Sequence, residues 1–120
     1  MLRQEEGRIS MLSFKPFDEK EGFARYRAVL ENTQCGECSF SYSGYEMRFI
    51  SIDTLDDIIA EGLMRSAMNY CATRGMYISA IEPGMLSPAA RRLGFSDNNL
   101  TVEIPEALSS SECKCGPAAE

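Results

Sequence analysis

The groups with the most obvious chemistry are five cysteines, four of them paired as CGEC (Cys35, Cys38) and CKC (Cys113, Cys115). Four thiolates satisfy a tetrahedral zinc ion. The first pair has knuckle-like spacing, and the second is tighter than the usual C-x2–4-C. The stretch from Ile104 to Cys113 reaches ~30 Å when extended, so the two pairs can meet. CGEC is also a candidate redox dithiol. Such a motif gains its reactive thiolate from a helix N-terminus, whereas here it precedes a strand-like run. The structural alternative makes Cys38 an inward-facing strand residue and leaves the tail without fixed structure. Cys71 falls on an apolar helix face and reads as core. An odd cysteine count and no apolar leader in MLRQEEGRIS point to reduced thiols in a soluble cytoplasmic protein rather than a disulfide framework.

The chain has no histidine. That excludes Ser-His-Asp and Cys-His catalysis and every metal site built on imidazole. Carboxylates, thiolates, lysines and tyrosines remain. Glu46 and Glu82, at strand ends, are the candidate bases, against the simpler reading of solvated strand-end carboxylates. Tyr45, Tyr70 and Tyr77 are candidate proton donors, with Tyr70 on an apolar stripe that reads as core.

A third feature is IDTLDDIIAEG, Ile52 to Gly62. A strand, a tight turn and a helix form the usual setting for binding a phosphate on a helix N-terminus. This turn carries Asp53, Asp56 and Asp57. Carboxylates there stabilise the helix by ~0.3–1 kcal/mol each and repel a polyanion.

The elements that must position these groups follow from pattern. The 120 residues, 44% hydrophobic and 25% charged, suffice for one domain with a modest core. No apolar run approaches membrane-spanning length. The formal net charge of −6 argues against nucleic acid and anionic membranes as partners. ISMLSFKPF (Ile9–Phe17) alternates as a first strand. Asp18 is a candidate N-cap, and EKEGFARYRAVLEN then reads as a helix, with Phe23, Tyr26, Val29 and Leu30 at helical spacing. CSFSYSGYEMRFISI reads as a hairpin turning at Ser43-Gly44. Residues 55–74 give the strongest helix, capped by Thr54, striped by Leu55, Ile58, Ile59, Leu63, Ala67, Tyr70 and Cys71, and closed by Gly75. MYISAIEP is a buried strand stopped at Pro83-Gly84. A short helix starts at Ser87-Pro88 and ends at Gly94. LTVEI (Leu100–Ile104) is a last strand. After Pro105 the composition is that of turns and disorder.

From Met47 to Phe95 this order resembles the GNAT superfamily of acyl-CoA N-acyltransferases. The residues that carry the likeness are LMRSAMNYCATRG, with Tyr70-Cys71-Ala72 and Gly75 at the helix end, the strand MYISAIEP, and Leu93-Gly94-Phe95. The resemblance implies an α/β fold: a GNAT-like mixed β-sheet flanked by helices, β-α-β-β-α-β-α-β, truncated relative to the family. It implies a domain over 1–108 and a flexible Cys-containing tail over 109–120.

The resemblance also implies an activity, acyl transfer from acetyl-CoA to an amine, and a cofactor site near Ile52, Thr54, Ala60 and Gly62. In the family, backbone of the strand before the long helix holds the pantetheine arm. The pyrophosphate sits on an Arg/Gln-x-x-Gly-x-Gly/Ala turn. That turn falls on Leu55, Ile58 and Ala60 without gaps, or on Asp57, Ala60 and Gly62 when shifted by two. Neither register supplies the cation and both glycines. The family's tyrosine acid falls on Ala90 and its asparagine on Pro83. The sequence therefore leads to the expectation that the acyl-CoA activity is weak or lost. The alternatives are a non-catalytic interaction or regulatory protein, homodimeric through a free sheet edge, and a zinc or thiol-redox protein using Cys35, Cys38, Cys113 and Cys115.

Overall fold

Alternating side chains build four antiparallel strands in succession: β1 (Leu12–Lys20), β2 (Phe23–Leu30), β3 (Thr33–Ser43) and β4 (Glu46–Asp53). The computed structural model describes residues 12–115, with side chains as far as Ser109. Helix α1 (Asp57–Ala72), strand β5 (Ile78–Ala80), a 3₁₀ turn at Pro83–Met85, helix α2 (Pro88–Arg92), strand β6 (Thr101–Glu103) and helix α3 (Ile104–Cys115) complete the chain. The six strands lie in sequence order, and β4–β5 is the parallel pair in an otherwise antiparallel sheet. This is a mixed sheet flanked by helices.

The segment expected to be the first helix is strand β2. Tyr26 and Leu30 share one face of it and Phe23 and Val29 the other, because side chains alternate along a strand. Two small residues decide the outcome. Ala24 and Ala28 are fully buried under α1, where the backbones approach closely. Asp18 does not cap a helix; it takes φ 51° at the irregularity between Phe17 and Lys20 in β1. Glu31 and Asn32, both at positive φ, close the β2–β3 hairpin, the backbone signature of a type I′ turn.

The α1-facing side of the sheet carries Phe14, Tyr26, Cys38, Phe40, Met47 and Phe49, joined to α1 residues Leu63, Met64, Ala67 and Cys71 in one core. Phe40 lies at its centre, with the rings of Tyr26, Tyr42, Phe49 and Tyr70 at 5.6–6.4 Å. The other side is polar. It includes Arg25, Arg27, Glu37 and Arg48, and Ser39 and Ser51 joined at 2.6 Å.

Helix α1 starts later than the pattern suggested. Asp56, not Thr54, is the N-cap, and Leu55 and Ile58 are exposed rather than part of the buried stripe. The other end is as expected. Gly75 takes φ 91°, and the N–H groups of Gly75 and Met76 donate to the carbonyls of Ala72 and Cys71, a Schellman closure. Pro105 opens a helix instead of ending the fold. Ile104, Ala107 and Leu108 of α3 pack on the core at helical spacing, and Pro in a first turn costs no hydrogen bond. The expected boundary at residue 108 falls inside this helix, and residues 116–120 lie outside the described ones.

Candidate functional site

The site begins with one extra residue. Phe40 pairs with Phe49 and Ser39 with Ser51, so Ile50 is the surplus residue of a β-bulge. A bulge bends its strand and sharpens the twist. On its other side β4 pairs with β5 only over Glu46, Met47 and Arg48. From Phe49 to Asp53, β4 has no strand partner there. β5 cannot follow, because its chain reaches Pro83, which has no N–H for a ladder, and turns away at Pro83–Met85.

The diverging strands leave a cleft of about 350 Å³. One wall is Ile50, Ser51 and Ile52, the floor is Thr54, Asp57 and Ala60, and the far wall runs from Gly84 to Ser87. It lies beyond the carboxyl end of the parallel pair and at the start of α1, where open α/β sheets bind ligands. Two further hollows, of about 390 and 480 Å³, share no lining residue with it.

Helix α1 presents no free anion cradle at the cleft. The N–H groups of Ile58 and Ile59 donate to Asp56 Oδ1 at 2.8 and 3.3 Å, and that of Asp56 donates to Thr54 Oγ1 at 3.2 Å. The Thr54 hydroxyl in turn donates to the Cys35 carbonyl. Asp53, Asp56 and Asp57 are all exposed. Among the described residues no basic side chain lines the cleft. Arg92, whose guanidinium feels Asp57, is held by Glu61 at 2.7 Å. Burial opposes ionisation of Glu61, but hydrogen bonds from Arg92 and Arg65 outweigh it and hold its carboxyl below the usual range.

The structure brings together Ile52, Thr54 and Ala60 of the expected cofactor residues. Gly62 is elsewhere: it faces the ring of Phe14, and a Cβ there would lie 2.8–2.9 Å from two ring carbons. Its glycine is explained by packing of β1 on α1. Sequence reasoning missed the far wall; the Pro83-Gly84 stop was its visible signal.

The candidate bases Glu46 and Glu82 converge, but on Arg48, at 3.2 and 3.0 Å. Both carboxylates are thus engaged by one guanidinium outside the cleft lining. Ala90 is fully buried in α2. Tyr70 is core, its hydroxyl donating to Glu19 at 3.0 Å beneath a stacked Arg74. Burial, first, and its hydrogen-bonded neighbours raise its pKa. Tyr77 donates to Glu103, and Tyr45 is exposed.

The cysteine hypothesis fares worse. Ala28 pairs with Gly36 and Val29 with Gln34, so Cys35 is itself a bulge residue, its thiol directed at the Ala28 carbonyl. Cys38 is fully buried against the Leu63 carbonyl, and burial pushes its pKa up to about 12. A buried thiol of raised pKa supplies little thiolate near neutral pH. Among the described residues no three His, Cys, Asp or Glu side chains gather to hold a metal. The side chains of Cys113 and Cys115 lie outside the described ones. Also among the described residues, no helix is long and apolar enough to cross a membrane.

No protein-family model and no curated protein matches the sequence. Solved structures do match. The ribosomal-protein-S18-alanine N-acetyltransferase from Escherichia coli superposes with a TM-score of 0.57 at 8% identity, over 72% of this chain and 72% of that one. Ard1 from Thermoplasma volcanium gives a TM-score of 0.46 at 16% identity, over 69% and 68%. At such identity the likeness is one of fold alone: this chain has a GNAT-like fold, a mixed six-stranded sheet flanked by helices.

Proposed function

We propose that this chain is a binding protein on an acyltransferase fold, whose β4–β5 cleft accepts an extended chain but not the diphosphate of acyl-CoA. On this reading, acyl transfer from acetyl-CoA to an amine is weak or lost. The observation that carries it is Asp56. Its carboxylate takes the N–H groups of Ile58 and Ile59, two of the donors that an anion at the helix start requires. Asp53 and Asp57 add like charge. The candidate bases are engaged by Arg48, and the position of the family's tyrosine acid is a buried alanine. A homodimer through a free sheet edge, β1 or β6, is compatible with this reading and is tested by sedimentation.

Thermal unfolding with acetyl-CoA, and with acetyl-pantetheine as the analogue lacking the diphosphate, tests the reading. A ligand at a hundred times its Kd stabilises the native state by about 2.7 kcal/mol, roughly a 10 °C rise in Tm for a domain of this size. Acetyl-CoA is expected to give no rise. A rise of that order at micromolar acetyl-CoA refutes it. The fold likeness to an N-acetyltransferase favours the second reading, a working acyltransferase, which predicts that rise together with release of free CoA thiol when an amine is supplied.

A further inference from the structure

We infer that the β4–β5 cleft is the docking groove for an extended, basic segment of a partner protein, with aliphatic side chains alternating with lysine or arginine. The inference rests on the reading that acyl-CoA does not occupy the cleft. Three independent features define the occupant. The first is backbone: β4 has no strand partner on the cleft side from Phe49 to Asp53, so an extended chain can add there by main-chain hydrogen bonds, with alternate side chains entering the groove.

The second feature is apolar surface. On the cleft wall the large aliphatic Ile50 is 53% exposed, and Ile52 lies half-buried beside it. Met85 and Leu86 face them from the far wall. Single exposed aliphatics are ordinary, but a cluster bordering a groove marks an interaction surface.

The third feature is charge. Asp57 lines the same groove, Asp53 and Asp56 adjoin its lining residues along the chain, and among the described residues none of the three forms an ion pair. An acidic border without ion pairs on a chain of net charge −6 attracts and orients a cationic partner. It repels nucleic acid and anionic lipid.

Fluorescence anisotropy of the whole chain with labelled dodecapeptides tests this. One peptide alternates lysine and valine, one lysine and serine, and one glutamate and valine, all capped at both ends. The lysine–valine peptide is expected to bind saturably at micromolar concentration, the lysine–serine peptide at least about tenfold more weakly and the glutamate–valine peptide not at all. Asp57→Asn is expected to weaken binding about two- to fivefold, as for an exposed charge pair. Ile50→Ser should weaken it further, while Glu106→Gln, an equal charge change on α3, leaves it unchanged.

Equal weakening by Asp57→Asn and Glu106→Gln means non-specific charge attraction and overturns the inference. So does failure to saturate, or a sedimenting dimer that Ile50→Ser dissociates, which makes a second copy the occupant. Acetyl-CoA in a parallel titration separates the two failures. If it binds, the underlying reading falls; if neither it nor the peptide binds, only the peptide inference falls.

Discussion

Gly62 offers a measurement that separates packing from ligand binding. In an exposed helix interior, Gly→Ala stabilises by ~1 kcal/mol. Here the added methyl group meets the Phe14 ring, with two ring carbons at 2.8–2.9 Å and a third closer still. Phe14 is half-buried on edge strand β1, so its ring can yield only by giving up contacts with the core. Overpacking of that kind costs about 1–3 kcal/mol. Gly62→Ala is therefore expected to leave the protein about 0–2 kcal/mol less stable. In a Phe14→Ala background the obstruction is gone and the helix preference alone remains, a gain of ~1 kcal/mol. The coupling between the two sites should be about 1–3 kcal/mol, within the range measured for residues in contact. Urea unfolding followed by far-UV circular dichroism reads the cycle, each kcal/mol moving the midpoint by about 0.5 M. If Gly62→Ala stabilises the parent chain as much as it stabilises the Phe14→Ala chain, the packing account of this glycine is wrong.

Two further outcomes follow from the same geometry. Asp56→Ala removes the cap of α1 and should cost about 1 kcal/mol, a drop of roughly 4 °C in Tm; inorganic phosphate should then stabilise the variant more than the parent, because the Ile58 and Ile59 N–H groups are released. Cys38 and Cys71 are both raised by burial to about 12 from an ordinary 9, with Arg74 partly opposing the shift at Cys71. Above pH 9 the unfolded chain loses these protons while the native one keeps them, so their contribution is whole below pH 9. It then erodes by about 1.4 kcal/mol per pH unit per thiol up to pH 12. Cys71→Ala should flatten the alkaline arm of a stability–pH curve, and an unchanged slope would refute the assignment.

Much of the fold was legible because local chemistry and tertiary packing agree. Ser43-Gly44 turns the β3–β4 hairpin, Gly75 closes α1, and Ser87-Pro88 with Gly94 brackets α2. Strand β2 was not legible. Its Ala and Arg residues favour helix, and only burial of Ala24 and Ala28 beneath α1 selects the two-residue period. Pro105 misled for the opposite reason, since the residue that cannot continue a strand is well suited to begin a helix. Of the residues that the resemblance implied, Ile52, Thr54 and Ala60 line the cleft and Gly62 does not. The hold of Arg48 on both Glu46 and Glu82 was not legible, because Glu82 comes into reach only through the parallel pairing of β4 with β5. Neither Ile50 nor Cys35 announces a bulge; which residue the ladder skips depends on the neighbouring strand.

Ile50 also shows what the cleft costs to keep. Removing that single residue would leave Phe49 and Ser51 opposite Phe40 and Ser39, as they already stand. Every partner of β4 on β3 would survive, and the strand would lose its bend. A flatter β4 lies one codon away, so the bend is a feature that its pairing with β3 gives no reason to preserve.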